Sequence, residues 1–326
     1  MHPAISVILL TTLIGAGQGL FLALFTAQVY SLFKILPLQD IDRFYGEGAA
    51  LAVALLVAGL VASFFHLGHP ERAWRAAARW RTSWLSREVI VLPVTALLIA
   101  LWGGAHYLAL TRPLFTLPGG TPVDLTLILG AMATVAAFAL YLCTAMIYAS
   151  LKFLQEWHHP LTVINYVLLG SASGFAVATA LAALRGVSLT GFFAGWALAF
   201  TLLAFLTRGA SVLRNRRLRP KSTLKSAIGV RHTRLAQKAQ GAMGGSFNTR
   251  EFFHGRSALF VRNVRRIFFT LAFAVPALLF AGVLAWPRPD LALAAVAVQY
   301  LGLLAERWYF FAEANHPQNL YYQQIA

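Results

Sequence analysis

The stretch Phe64–Glu88, FFHLGHPERAWRAAARWRTSWLSRE, decides how this chain is read. It joins two long apolar segments, and within 25 residues it gathers His66, His69, five arginines, three tryptophans and Glu88. Ionisable groups at the ends of membrane-length segments are costly unless they serve a pathway or a partner. The stretch therefore reads as functional, and its flanks as membrane spans.

Working outward, the rest of the chain agrees. Its 326 residues are 59% hydrophobic and 12% charged, with a mean hydropathy of +0.66, too apolar for an ordinary soluble domain. Apolar runs recur near 4–33, 47–67, 88–110, 123–150, 160–184, 190–209, 266–286 and 291–312. Each has about 20 residues, enough at ~1.5 Å per residue to cross ~30 Å of hydrocarbon. The expected fold is all-α: residues 1–326 form one polytopic integral membrane domain, a bundle of eight transmembrane helices. A basic loop, 212–265, joins helices six and seven, and 313–326 is a tail. The first run lacks a basic leader and is too long for a signal peptide, so it reads as a retained helix.

Orientation follows from lysine and arginine, which short cytoplasmic connections retain in excess. One side carries Arg72, Arg75, Arg79, Arg81, Arg87, Lys152 and fifteen residues from Arg208 to Arg266; the other carries Lys34, Arg43, Arg112, Arg185 and Arg288. The split is 21 to 5. Both termini, the opening stretch and the basic loop are thus expected in the cytoplasm. The net charge of +16 needs no nucleic acid to explain it. The lone cysteine, Cys143, rules out an intrachain disulfide and a thiolate-ligated zinc or iron–sulfur centre within this chain.

Within the opening stretch, His66 and Glu88 become neighbours if the intervening residues fold back as a short interfacial helix. Arg72, Arg75 and Arg79 would then share one face, and Trp74, Trp80 and Trp84 suit the headgroup level. The blander reading of these arginines and tryptophans is anchoring. An imidazole titrating near neutrality beside a partly desolvated carboxyl suits a quinone, which needs donors for two carbonyls and a supply of protons. Gln18, in GAGQGLF, reads either as an interhelical hydrogen bond or as a pocket wall. Arg307 reads as an interfacial or ion-paired residue, or as one closing the pocket from the far side. In the basic loop, Phe247, Arg250, Phe252 and Phe253 suggest docking of a cytoplasmic protein; anionic lipid is the simpler partner for the charge. Haem would need two imidazoles at matching depth, and His106 alone lies well inside a span, so haem is not expected. No metal site is expected either.

FHLGHPERAWRA followed by LSRE resembles the corresponding region of membrane anchor subunits of the dimethyl sulfoxide reductase type. That resemblance implies an eight-helix, quinone-reactive subunit of the bacterial inner membrane. Molybdopterin and iron–sulfur clusters would lie in partner subunits, with ubiquinone or menaquinone exchanged here. It assigns quinone binding to His66, Arg72 and Glu88, and less firmly to Gly17-Gln18. The insert GVRHTRLAQKAQGAMGGSFNTREFFHG and the tail ERWYFFAEANHPQNLYYQ resemble the branch that anchors membrane-bound sulfite dehydrogenase. The cytoplasmic orientation fits that branch, since dimethyl sulfoxide reductase itself works outside. The resemblance thus implies electrons passed from cytoplasmic sulfite oxidation to quinone. Rival readings are an anchor for a polysulfide, tetrathionate or dimethyl sulfoxide reductase, and a small-anion transporter, against which the nearly bare midplane argues.

Overall fold

A computed structural model describes residues 1–36, 42–118, 120–236 and 251–321. Eight helices long and apolar enough to cross a membrane are present. They are α1 (Ile5–Leu32), α2 (Asp42–Phe64), α3 (Trp84–Tyr107), α4 (Leu125–Ala149), α5 (Pro160–Leu184), α6 (Thr190–Arg216), α8 (Ala258–Ala285) and α9 (Pro289–Glu313). A short α7, Leu224–Ile228, lies in the basic connection. The expected 212–265 loop is helical at both ends, because α6 runs to Arg216 and α8 starts at Ala258. The connection from α3 to α4 holds a two-residue hairpin, Phe115–Thr116 against Pro122–Val123, which the sequence pattern did not suggest.

The helix ends are written locally. Ser83 caps α3 by accepting the Ser86 amide, Asp124 caps α4 through Leu127, and Ser257 caps α8 through Phe260. Pro160 opens α5 at a position where a missing N–H costs nothing. An even number of spans puts both chain ends on one face. The His2 amide there donates to the Glu251 carbonyl at 2.8 Å, tying the start of the chain to the basic connection. We call this the basic face.

Lipid is as apolar as leucine, so helices associate through close contact and hydrogen bonding rather than through hydrophobic burial. The α1–α5 crossing shows the principle. A Cβ on Gly174 would lie 1.9 Å from the Gly19 carbonyl carbon, and one on Gly19 would lie 2.1 Å from the Gly170 oxygen. Gly17 gives α2 the same access from the other side, since its Cβ would meet the Ala52 oxygen at 2.8 Å. The flanks of Gln18 are therefore small because α1 is held between two helices. At the other end of the bundle, α9 presses Gly302 against the backbone at Ala272, within the π-helical Thr270–Ala274 segment of α8. Gln299 Nε2 donates across that contact to the Ala272 carbonyl at 3.4 Å and to Thr201 Oγ1 of α6 at 2.9 Å.

Candidate functional site

The Phe64–Glu88 stretch separates in the structure into an exposed part and a buried end. α2 stops at Phe64, so His66 lies in the following turn and is exposed. Partial burial nonetheless holds its imidazole below the usual histidine value. Residues Pro70–Arg79 form a 3₁₀ helix with no buried residue. Three residues per turn keep Arg72 and Arg75 on one face but rotate Arg79 away by about 120°. The single arginine face expected from α-helical spacing is thus not formed. Arg72 pairs with Glu71 at 3.6 Å, and Glu71 also meets His69 at 3.0 Å, all well exposed. Trp74 and Trp80 are exposed at what would be headgroup level. Arg87 ties this segment to α3: it donates to the Trp80 and Arg81 carbonyls at 2.9 and 2.8 Å and lies over the Trp84 ring at 4.2 Å.

Glu88 goes the other way. One turn inside α3 its side chain is 5% exposed, and Thr144 of α4 donates to its Oε1 at 2.5 Å. Thr144 in turn lines an internal cavity together with Gln18 of α1, Tyr141, Tyr166 and Ser173 of α4 and α5, and Arg307 of α9. Its free volume is about 30 Å³, room for one or two waters by the usual measure. Gln18 donates through Nε2 to the Ile14 carbonyl at 3.2 Å, while its buried Oε1 has no partner. Arg307 Nη2 is also buried without a hydrogen bond of sound geometry. An unused acceptor and an unused donor thus belong to two residues of the same wall. Gln18 and Arg307, two residues singled out in the sequence, line this cavity, and Glu88, a third, is tied to it through Thr144. His66 and Arg72 stay outside.

Arg307 belongs to a buried cluster. Its Nε meets Glu306 at 2.5 Å, Arg208 of α6 meets the other Glu306 oxygen at 2.6 Å, and Arg208 reaches Glu313 at 3.6 Å. Two guanidinium groups face two carboxylates, so the charges balance, which is what makes their burial tolerable. The Arg307 guanidinium also lies over the rings of Tyr166 and Phe310 at 4.5 and 4.7 Å. By sequence position Arg208 counts with the basic loop; at 2% exposure inside α6 it is not a loop charge. The signal available was a lone arginine between small residues, LTRGAS, inside an apolar run. Beyond Arg307 lies a second, smaller cavity of about 10 Å³, walled by Arg208, Asn165 and Ser211 and bounded toward the basic face by Glu156, His159 and Arg214.

A third space is an open groove of about 750 Å³ at the basic end of α1 and α2. Leu9, Leu13 and Val61 form its apolar wall, with Phe65, Arg256 and Trp308 at its rim. The aromatic residues expected to dock a partner are placed unevenly. Phe253 is buried, and Phe252 stacks on His316 with centroids 3.8 Å apart while its carbonyl accepts from Asn319 at 3.1 Å. The chain's own tail covers Phe252. Phe247 and Arg250 lie outside the described residues.

On the opposite face, His106 is 3% exposed and its Nδ1 meets Asp42 at 2.7 Å. Nothing in the sequence marks a partner for this imidazole. Trp102 beside it donates to Gln28, and Gln28 to Thr126, at 3.0 and 2.6 Å. Among the described residues no three His, Cys, Asp or Glu side chains are grouped to hold a metal ion.

Comparison with known proteins agrees with this architecture. Residues 1–305 match the family described as DMSO reductase anchor subunit (DmsC). Over 326 residues, the full length of both chains, the sequence is 56% identical to a sulfite dehydrogenase subunit of Allochromatium vinosum.

Proposed function

The chain belongs to the DMSO reductase anchor subunit (DmsC) family, and on that premise we propose that it is the quinone-reactive membrane subunit of a molybdopterin and iron–sulfur sulfite dehydrogenase. The observation that carries this is the meeting of Thr144, Gln18 and Arg307, from three helices, around one internal cavity, with Glu88 of a fourth bonded to Thr144 behind the wall. Its free groups suit the two forms of the ligand. Arg307 Nη2 can donate to a quinone carbonyl, and Gln18 Oε1 can accept from a quinol hydroxyl. Glu88, tied to the cavity through Thr144, holds and releases protons. At about 30 Å³ the cavity takes an oxygen atom but not a ring, so admitting the head group requires the bundle to part at its basic end. The exposed His66 to Arg79 segment, with no buried residue in its 3₁₀ helix, is the part that yields, and His66 and Arg72 then close on the ligand from above.

On this reading sulfite becomes sulfate at molybdenum in one partner, and two electrons pass through iron–sulfur clusters in another. The quinone, ubiquinone or menaquinone, accepts them in this chain, which supplies its binding groups and protons. The partners are cytoplasmic, docked against the basic face, a reading supported by the excess of lysine and arginine on that face. A twin-arginine export signal on the molybdenum subunit would contradict that placement.

Glu88→Gln is the direct test. The complex should assemble and its clusters should be reduced by sulfite, while electron transfer to quinone collapses. Normal quinone turnover in this variant would remove Glu88 from the proton chemistry. A second reading puts the head group in the open groove, favoured by its volume of about 750 Å³, which lies in the range of small-molecule sites. Ser6→Trp would fill that groove, and loss of turnover in this variant together with normal turnover in Glu88→Gln would favour it. Docking is tested by deleting residues 221–256: partner subunits still fully bound to the membrane would count against the basic connection as their platform.

A further inference from the structure

We propose that the second cavity and the Arg208–Glu306–Arg307 cluster form a proton route between the quinone pocket and the basic face. The route rests on the quinone reading above and extends from Arg307 to residues the sequence did not single out, Asn165 and Ser211 among them. Three observations carry it. Arg307 lies on the wall of both cavities, so its side chain stands between them. Asn165 and Ser211 of the outer cavity are joined to each other and to Thr207 behind the wall: Thr207 Oγ1 donates to Asn165 Oδ1 at 2.7 Å, Asn165 Nδ2 donates to Ser211 Oγ at 2.8 Å, and Ser211 Oγ donates to the Thr207 carbonyl at 3.1 Å. Its mouth holds proton-exchanging side chains, Glu156 and His159.

A membrane interior offers such a polar seam only at a cost, so a run of buried hydroxyls, amides and paired charges on one side of the bundle needs a use. The seam also leads to one face: α5, α6 and α9 bring Asn165, Ser211 and Glu306 toward the basic end, whereas His106 and Asp42 lie at the other. His159 is held below the usual histidine value by burial, then by Arg214 and His158, which favours its neutral form at the mouth of the cavity.

Reduction of one quinone to quinol takes two electrons, delivered by the partner's iron–sulfur clusters, and two protons, which form the two O–H bonds. The protons enter at Glu156 and His159, cross the outer cavity on water held by Asn165 and Ser211, and pass to the inner cavity beside Arg307, whose side chain lines both. Glu306, paired with Arg208 and Arg307, holds that guanidinium in place as its counter-ion. The protons reach the quinone through the inner cavity, where Gln18 and Thr144, the latter bonded to Glu88, form the acceptor end. In the reverse direction the same path carries protons out.

Asn165 touches no part of the quinone pocket, and it is the residue to vary. Asn165→Leu keeps the size and removes the polar wall; Asn165→Asp restores it. In the assembled complex, sulfite oxidation by ferricyanide reports the partner subunits, and reduction of decyl-ubiquinone reports this chain. The expected result for Asn165→Leu is unchanged ferricyanide activity, an unchanged KM for decyl-ubiquinone, and kcat at least tenfold lower with a larger solvent deuterium isotope effect. Asn165→Asp should return most of the rate. Unchanged kcat and isotope effect in Asn165→Leu would overturn the route while leaving the quinone reading intact. If the parent complex reduces ferricyanide and no decyl-ubiquinone at all, it is the quinone reading that fails. Should Asn165→Leu not assemble, Ser211→Val at the same cavity is read by the same criteria.

Discussion

Arg208 on α6 and Glu306 on α9 meet at 2.6 Å, with 2% and 0% of their side chains exposed. Among the described residues, their ion pairs run to each other, to Arg307 and to Glu313. The pair therefore locks α6 to α9 at a fixed depth, because sliding either helix by a turn would leave a charge unmatched in a low-dielectric interior.

Removing one partner should accordingly be severe. Arg208→Met leaves Glu306 with one guanidinium and Glu313 with none, and the expected loss is about 3–5 kcal/mol. Thermal unfolding of the purified chain in detergent measures it. A midpoint within a degree or two of the parent would show that the cluster does not hold the helices together.

The α1–α5 crossing makes a steric prediction. Gly174→Ala places a methyl carbon 1.9 Å from the backbone of Gly19, where no side chain can move aside. Overpacking of this kind costs about 1–3 kcal/mol, and here the helices must separate. Gly104→Ala, in α3 with nothing within 4 Å, is the control and should be neutral or slightly stabilising. Equal stability of the two variants would mean that the crossing is looser than the backbone geometry states.

His66 gives a pH prediction. Burial favours its neutral form in the folded chain, so the unfolded chain binds more protons near and below pH ~6.5. The contribution of this residue therefore weakens the fold as pH falls through that region, and is absent above it. Titration followed by NMR on labelled histidine should give a His66 midpoint below that of a model peptide. A midpoint at or above the peptide value would contradict its placement.

Asp42→Asn separates the two ends of the bundle. It removes the charged acceptor from His106 Nδ1 at 2.7 Å and should cost about 1–3 kcal/mol. Quinone-linked turnover should not change in the variant that remains assembled, since the pocket lies near the opposite face. A collapse of turnover with full assembly would draw the His106 cluster into the reaction.

The sequence by itself determined the eight spans, their alternation, the basic face and the family. These are properties of apolar run length and of where lysine and arginine fall, and they need no knowledge of neighbours. It also picked out Glu88, Gln18 and Arg307, because a polar side chain in a membrane span is costly wherever it stands. Only the tertiary structure decided who meets whom. Thr144 sits in an apolar run with nothing to mark it, and it matters because α4 packs against α3 with its hydroxyl at Glu88. Arg208 reads along the chain as one more loop charge, and only α9 brings Glu306 to it. His106 finds Asp42 across 64 residues. The 3₁₀ geometry of Pro70–Arg79 turns Arg79 off the arginine face and leaves His66 and Arg72 in the open. Depth in the membrane is written along the chain, one residue at a time. Contact between helices is written in pairs far apart in sequence, fixed here by close approach at Gly19, Gly174 and Gly302.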